Sequence, residues 1–165
     1  MKTTVRRYIW YKDIWFQLQI LTDKTIQHYM FDNMLGVLRF FLPWTYDIKL
    51  ICFIHKNGKK KRVGIAKFTQ RKENLYSIAG FIPTKLHNRG YGLYSGVAII
   101  KYFFEHYSYA TIHSCSASYN KRAYKTTKAM GFQLNVEDER HFDSTLTIEQ
   151  FNNDFVRKIK ERAGI

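Results

Sequence analysis

The residues with the clearest chemical potential are two glycines, Gly90 and Gly92, in the stretch LHNRGYGLY that covers residues 86–94. They follow an apolar run that predicts a strand and precede a segment that predicts a helix. This order places unpaired backbone N–H groups at the positive end of a helix dipole, where they can hold a phosphate. A plain turn between strand and helix is the alternative interpretation of the same glycines.

Two common phosphate-binding patterns do not fit this stretch. The dinucleotide-binding pattern needs a third glycine, G-x-G-x-x-G, inside a parallel βαβ unit. Here Ser95 holds the third position, and the preceding strands are predicted to be antiparallel. The Walker pattern is absent too, because no Gly-Lys-Ser or Gly-Lys-Thr occurs in the sequence.

The segment from His87 to Gly92 resembles the pyrophosphate-binding segment of the GCN5-related N-acetyltransferase family, written Gln/Arg-x-x-Gly-x-Gly/Ala. Both glycine places match, and His87 replaces the family's Gln or Arg. A second stretch, NKRAYKTTKAMGF, resembles the family's Asn-x-x-Ala/Ser, helix and Gly-Phe segment, with matches at Asn120, Ala123, Gly131 and Phe132. The two segments stand in the family's order, and the resemblance covers the range from Lys49 to Glu137.

The resemblance implies an α+β fold, an α/β/α sandwich around a mixed, mostly antiparallel sheet of about six to seven strands. This sheet is expected to splay between the strands Leu75–Ile82 and Tyr109–Ser116, with acetyl-coenzyme A as acyl donor in the gap. The implied coenzyme-binding residues are Phe81, Ile82, Thr84, His87, Asn88, Arg89, Gly90, Tyr91, Gly92, Leu93, Asn120, Tyr124 and Thr127.

Each part of the coenzyme has an implied place. The amides from Asn88 to Leu93 would hold the pyrophosphate, with Arg89, Lys121, Arg122 and Lys125 nearby. The backbone from Phe81 to Thr84 would pair with the pantetheine arm and polarise the thioester carbonyl. Asn120 would contact the pantetheine or position the helix that follows.

Acetyl transfer to an amine needs a neutral amine, a polarised thioester and a proton for the departing thiolate. In many family members a tyrosine seven residues after the asparagine is the acid, but this chain has Thr127 there and Tyr124 one turn earlier. Tyr124 or a water therefore protonates the thiolate, or the thiolate leaves unaided, since an ordinary thiol has a pKa of about 8.5.

A general base is expected on the two strands that line the gap, but neither of them contains a carboxylate. His113 is the titratable candidate there, since an imidazole has an ordinary pKa of about 6.5. A hydrogen-bonded histidine with a purely structural role is the alternative. Cys115 is expected to be inert packing.

The net charge of the chain narrows the class of molecule that it is expected to bind. The 165 residues carry a formal net charge of +14, with basic clusters around 56–62 and 157–162. The surplus could steer an anionic acceptor, such as a nucleotide-linked amino sugar or a charged tRNA. A small-molecule or nucleotide-linked amine is the preferred acceptor, and tRNA is the weaker candidate. Only two cysteines occur, without metal-ligand spacing, and no secretory signal or membrane-spanning run is present. A cytoplasmic protein without metal or membrane contact is expected, and its oligomeric state is left open.

The rest of the chain predicts one domain, 1–165, with strands and helices in alternation. Thr4–Trp10 is interpreted as a short strand, followed by helices that Thr22 could cap and Pro43 would end. Asn57-Gly58 predicts a tight hairpin, and Leu75–Ile82 a third antiparallel strand. Leu93, Val97, Ile100 and Phe104 predict a helix that ends near His106, Phe132–Leu146 two short strands, and Thr147 with Gln150 a capped final helix.

Two functions follow from these patterns. The first is an acetyl-coenzyme A-dependent N-acetyltransferase that acts on a primary amine. The alternative is a non-enzymatic nucleic-acid-binding module on an acetyltransferase scaffold that has lost its chemistry along with the tyrosine. Interleaved basic and aromatic residues, as in RRYIWYKDIW, could stack on bases, but Trp10 and Trp15 are expected to pack in the core instead.

Overall fold

A computed structural model describes residues 2–30 and 47–164. The strands are β1 Lys2–Arg7, β2 Ile48–Lys56, β3 Lys59–Lys72, β4 Leu75–Phe81, β5 Thr111–Ala117, β6 Gln133–Glu137 and β7 His141–Leu146. The helices are α1 Trp10–Leu21, α2 Lys24–Met30, α3 Tyr91–His106, α4 Lys121–Ala129, α5 Ile148–Phe151 and α6 Asp154–Ala163. A 3₁₀ turn covers Thr84–Leu86 between β4 and α3.

The seven strands form one mixed sheet in the order β1-β2-β3-β4-β5-β7-β6. Every neighbouring pair is antiparallel except β4 and β5, which run parallel. This parallel contact is short, because it joins only Leu75 to Thr111, Tyr76 to Ile112 and Ser77 to His113. Beyond the third pair the two strands separate, which confirms the predicted fold with its splay in the middle of the sheet.

The β2–β3 hairpin follows directly from its turn residues. Asn57 and Gly58 both have positive φ, 51° and 71°. Two successive residues with positive φ give the turn whose twist matches that of the flanking strands. The predicted hairpin is therefore confirmed, and it fixes the register of the long strands that lead to the gap.

Helices cover both faces of the sheet, and one core lies against each face. The larger core packs α3 on the sheet, with the Phe68 and Phe103 rings stacked at 4.1 Å. The smaller core joins Ile20 of α1 and Ile26 of α2 to Ile51, Phe53 and Ile65. The apolar spacing predicted for α3 thus serves to fasten this helix below the gap.

The start of the chain differs from the prediction. The first strand ends at Arg7, and a helix begins at Trp10. The cause is Asp13, whose carboxylate accepts the Ile9 amide at 2.8 Å and the Arg6 guanidinium at 2.7 Å. Asp23 rather than Thr22 caps α2, since its carboxylate accepts the Thr25 amide at 3.1 Å. The predicted stop at Pro43 lies outside the described residues.

The single final helix that was predicted is two helices. The capping box of Thr147 and Gln150 is present and starts α5. Asn153 then accepts the Val156 amide at 2.9 Å and starts α6 as a separate helix. A side-chain cap inside an apolar pattern ends one helix and begins another, which apolar spacing alone does not reveal.

Some further features concern the described residues alone. None of their helices is both long and apolar enough to span a membrane. No cluster of three or more His, Cys, Asp or Glu side chains among them is placed to hold a metal ion. Both cysteines are free thiols, with Cys52 buried and Cys115 exposed.

Candidate active site

The separation of β4 from β5 opens a cavity of about 990 Å³. Its walls are the ends of these two strands, together with α3 and α4 on one face of the sheet. Thr25 and Ile26 of α2 line it on the other face. The cavity therefore passes through the sheet, so two ligands can enter from opposite faces and meet between the strands.

One entrance lies at the N-terminus of α3. Gly90 caps this helix in the left-handed conformation, with φ of 76°, and Asn88 before it has φ of 58°. Among the described residues, none of the amides from Asn88 to Leu93 donates to a protein acceptor. These amides point out of the positive end of a 16-residue helix, which is a favourable place for an anion.

Gly92 lets the helix come close to the strand beside it. A Cβ atom at this position would meet Cδ1 of Ile82 at 3.2 Å, which is tighter than ordinary contact. Both residues line the cavity. The missing side chain thus keeps the first turn of α3 against the end of β4, with the amides directed at the gap.

The end of β4 is held by Asp23 from the other face. The Asp23 carboxylate accepts the Thr84 amide at 2.8 Å and the Thr84 hydroxyl at 2.6 Å. Burial raises the pKa of Asp23, but these hydrogen bonds outweigh it and leave the pKa below its ordinary value. Phe81 and Ile82 line the cavity, whereas Thr84 does not and its amide is already engaged.

Two contacts bridge the gap, one on each face. On the α3 side, Arg122 of α4 donates to Nδ1 of His87, and Nε2 of His87 donates to the Ile82 carbonyl at 3.2 Å. Burial and then the nearby Arg122 lower the pKa of His87. On the α2 side, the Tyr119 hydroxyl donates to the His28 carbonyl at 3.4 Å. His87, Arg122 and Tyr119 all line the cavity.

His113 lies at the point where the two strands part, in the last paired position of β5. Its Nε2 is 3.0 Å from Oδ1 of Asp143, on the neighbouring strand β7. Because an ionised carboxylate only accepts, Nε2 carries the proton and Nδ1 keeps a lone pair. Among the described residues Nδ1 has no hydrogen-bond partner. Such a pair holds an imidazole ready to accept a proton.

The thiol of Cys115 lies on the same side of β5 and lines the cavity. Burial, and then the carboxylates of Asp143 and Asp138, raise the pKa of Cys115 to about 11. A thiol of that pKa stays protonated at neutral pH and is a poor nucleophile. The site therefore favours direct transfer between two ligands over transfer through an acylated cysteine.

The residues of the α4 segment have different roles: two of the predicted site residues line the cavity, and one packs against the sheet. Asn120 accepts the Ala123 amide at 3.1 Å, so it caps α4, and it also lines the cavity. Thr127 is buried and lines the cavity. The Tyr124 ring packs edge-on against Phe142, with centroids 5.3 Å apart, and does not line the cavity.

The structure brings most of the predicted site residues to one place. Those that line the cavity are Phe81, Ile82, His87, Gly92, Asn120 and Thr127. Asn88, Arg89, Gly90, Tyr91 and Leu93 surround the mouth at the start of α3. His113 sits at the vertex of the splay, outside the lining. Sequence reasoning missed Asp143, Asp23 and Tyr119, whose roles depend on contacts between distant segments.

Solved structures with the same architecture include acetyltransferases. Aminoglycoside acetyltransferase AAC(6')-Ib, solved with paromomycin and acetyl-coenzyme A, superimposes with a TM-score of 0.71 at 13% identity, over 93% of this chain and 98% of that one. Spermidine N-acetyltransferase from Vibrio cholerae, solved with coenzyme A and spermine, gives 0.72 at 12% identity, over 92% and 99%. No protein-family model and no curated protein matches the sequence.

A third solved structure, a domain from Methanocaldococcus jannaschii, gives a TM-score of 0.72 at 14% identity, over 89% of this chain and 99% of that one. Identities this low establish a common fold, and the fold is the one that the glycine segment and the Asn120 segment predicted. The chain has the fold of the GCN5-related N-acetyltransferases.

Proposed function

We propose that this protein transfers the acetyl group of acetyl-coenzyme A to the primary amine of a small acceptor. The observation that carries this proposal is the gap through the sheet, with unpaired amides at one entrance and the His113–Asp143 pair at its vertex. The similarity to acetyltransferases solved with coenzyme A supports the same assignment.

Different groups of the chain bind the coenzyme and orient its thioester. Amides of residues 88–93 hold the pyrophosphate, and Arg89 and Arg122 add positive charge beside it. The end of β4, at Phe81 and Ile82, orients the thioester. Acetyl-coenzyme A supplies the activated acetyl group, and binding both ligands in one gap provides proximity.

Proton transfer falls to His113. Nδ1 takes a proton from the acceptor's ammonium, directly or through a water, while Asp143 stabilises the imidazolium that forms. The departing thiolate leaves unaided or takes a proton from water. A role of Tyr124 as acid stays a prediction, since its ring would first have to leave Phe142.

The acceptor is an amine on a cationic molecule. Glu139 lines the cavity together with Arg140 and His141, and the carboxylates of Asp138 and Asp143 both contact His141. These charges suit an ammonium group better than the anionic acceptor expected from the net charge. Paromomycin and spermine, with which two of the neighbours were solved, are amines.

Thermal unfolding with acetyl-coenzyme A tests the coenzyme site. A ligand at 100 times its Kd stabilises the native state by about 2.7 kcal/mol, which raises Tm by roughly 5–10 °C in a chain of this size. Gly92→Asp should abolish the shift, because it places a negative charge among the phosphate-binding amides and a Cβ atom 3.2 Å from Cδ1 of Ile82, which must move slightly to accept it. The variant should still fold, since a carboxylate suits the first turn of a helix.

Tyr11→Asp is the matched control, because it adds the same charge to the first turn of α1. It should leave the shift intact. Thiol release with a panel of polyamines, aminoglycosides, amino acids, nucleotide-linked amino sugars and aminoacyl-tRNA then identifies the acceptor. Coenzyme binding without turnover on any amine would favour the inactive scaffold, and no shift at millimolar coenzyme would contradict the site itself.

A further inference from the structure

A second surface, away from the gap, carries large aromatic side chains in water. In α1, Trp10, Tyr11 and Trp15 are 61%, 69% and 77% exposed, so the expectation that Trp10 and Trp15 pack in the core was wrong. The opposite side of the same helix is buried at Asp13, Gln17 and Ile20, so the aromatic side is the one left facing solvent. A group of exposed aromatic rings marks an interaction site more often than a plain surface.

Cations lie over two aromatic rings near this side of α1, the buried ring of Phe53 and the exposed ring of Tyr11. The Lys60 ammonium lies 4.3 Å from the centroid of Phe53, and the guanidinium carbons of Arg6 and Arg62 lie 5.0 and 5.7 Å from it. The Lys12 ammonium is 5.6 Å from the Tyr11 ring. Contacts with aromatic faces restrain long cationic side chains, so less entropy is lost when they bind an anion.

The aromatic and cationic groups form one continuous surface. Arg62, near the start of β3, donates to the Lys12 carbonyl at 2.9 Å and to the Asp13 carboxylate at 3.0 Å. The β2–β3 hairpin therefore meets the first turn of α1. Asp13, the carboxylate that these arginines contact, is fully buried beneath the surface. We call the group Trp10, Tyr11, Lys12, Trp15, Lys60 and Arg62 the α1–hairpin surface.

We propose that the α1–hairpin surface binds single-stranded nucleic acid. Flat bases stack on exposed aromatic rings, and the phosphates between them pair with the flanking cations. The exposed lysines of the hairpin, Lys56, Lys59 and Lys61, extend the positive field beyond the rings. An unpaired strand is the form whose base faces are free to stack, whereas a duplex offers mainly phosphates.

A lipid surface fits these observations less well. A helix that lies in a membrane interface buries a continuous apolar face in the lipid. In α1 the residue Ile20 is already packed on Ile51, Phe53 and Ile65 of the sheet. An acidic protein would satisfy the cations but would leave the exposed tryptophan and tyrosine rings without flat partners.

Fluorescence anisotropy with labelled oligouridylate of about 16 nucleotides, without coenzyme, tests the proposal. Trp15→Ala should weaken binding roughly tenfold with an unchanged salt slope, because one stacked base is lost. Trp15→Tyr should restore most of the affinity. Lys12→Ala/Lys60→Ala should lower the slope of log K against log salt by roughly 1.4, at about 0.7 for each phosphate contact.

The control pair Lys158→Ala/Arg162→Ala removes the same charge from exposed positions of α6 and should leave the slope unchanged. Circular dichroism checks that each variant is folded. If the protein attracts polyanions by its net charge alone, both double variants should lower the salt slope equally and Trp15→Ala should leave the affinity unchanged. That result would overturn the proposal. Equal affinity for duplex of the same length, or tighter binding to phosphatidylserine vesicles, overturns it as well.

Discussion

The acid–base chemistry of the proposed reaction depends on two side chains, His113 and Asp143. Each is about one quarter to one third exposed, at 33% and 26%, so water can reach the pair and carry a proton to it. The titratable groups around them are Cys115, His141 and Asp138. Asp143 also lies 3.5 Å from Nε2 of His141, so its carboxylate is shared between two imidazoles.

Removal of the imidazole should therefore cost most of the turnover. We expect His113→Ala to lower kcat/KM by roughly 10²–10⁴, the usual contribution of a positioned base, and to abolish the rise of the rate with pH near neutrality. Asp143→Asn should cause a smaller loss, because the imidazole keeps its place on β5 but loses the carboxylate that orients it.

The matched control is His106→Ala, which removes an exposed imidazole that contacts the Tyr102 carbonyl at the far end of α3. It should keep the wild-type pH profile. Coenzyme-induced stabilisation should survive in all three variants, which separates lost chemistry from a lost site. An unchanged acidic limb in His113→Ala would exclude His113 as the base.

At the scale of the elements, the features predicted correctly are those whose signals lie within a few residues. The hairpin at Asn57-Gly58 and the glycine turn before α3 were predicted because each needs positive φ at positions given by the local sequence. The strand Thr4–Trp10 was predicted wrongly because its end depends on Asp13, which captures Arg6 and the Ile9 amide.

The candidate site likewise contains local features, which the sequence predicts, and contacts between distant segments, which it does not. The glycine turn before α3 is a local feature, and a family pattern was enough to locate it. The His113–Asp143 pair joins residues 30 positions apart, and only the β5–β7 register brings them together. The Asp23–Thr84 contact spans 61 positions. Contacts of this kind are set by strand order and helix packing, which periodicity does not encode.

One buried carboxylate fastens α1 to the sheet. Asp13 is fully buried and accepts hydrogen bonds from Arg6, from Arg62 and from the Ile9 amide. Burial raises the pKa of Asp13, but these partners outweigh it and hold the pKa below its ordinary value. The ion pairs of Asp13 with Arg6 of β1 and with Arg62 of β3 thus position α1, the helix that carries the exposed aromatic rings.

Asp13→Asn should destabilise the protein by roughly 2 kcal/mol at pH 7, less than a fully buried pair would lose, because Arg6 and Arg62 remain partly in water. Since the folded pKa is depressed, this stability is present above the unfolded value of about 3.9 and is lost as pH falls through the folded pKa. The difference between wild type and variant should therefore be constant above about pH 5 and shrink below pH 4.

Urea unfolding at a series of pH values measures this difference. Glu161→Gln, at an exposed position of α6, is the matched control and should change stability by less than about 0.5 kcal/mol at any pH. A gap between wild type and Asp13→Asn that does not close in acid would mean that the ion pair contributes nothing to holding α1.

At the scale of the whole molecule, charges of opposite sign lie on different parts of the surface. The carboxylates of Asp138, Glu139 and Asp143 lie around His141 of the cavity lining, while cations gather on the α1–hairpin surface and on α6. One sheet thus presents an acidic neighbourhood for an amine and a basic one for a polyanion. The two halves of the sheet meet through three residue pairs of β4 and β5, and one core that includes Phe68 of β3, Phe103 of α3 and Ile112 of β5 joins them.

The excess of positive charge should make stability depend on salt. With a net charge of +14, self-repulsion opposes the compact state, and added salt screens it. Salt screens the ion pairs of Asp13 with Arg6 and of Asp47 with Lys67 only a little, because the two carboxylates are 0% and 3% exposed. We expect Tm in coenzyme-free buffer to rise by roughly 2–4 °C, about 1 kcal/mol, between 20 and 500 mM sodium chloride. Lys158→Glu/Arg162→Glu should flatten this rise, and a Tm that falls with added chloride would show that ion pairing outweighs repulsion.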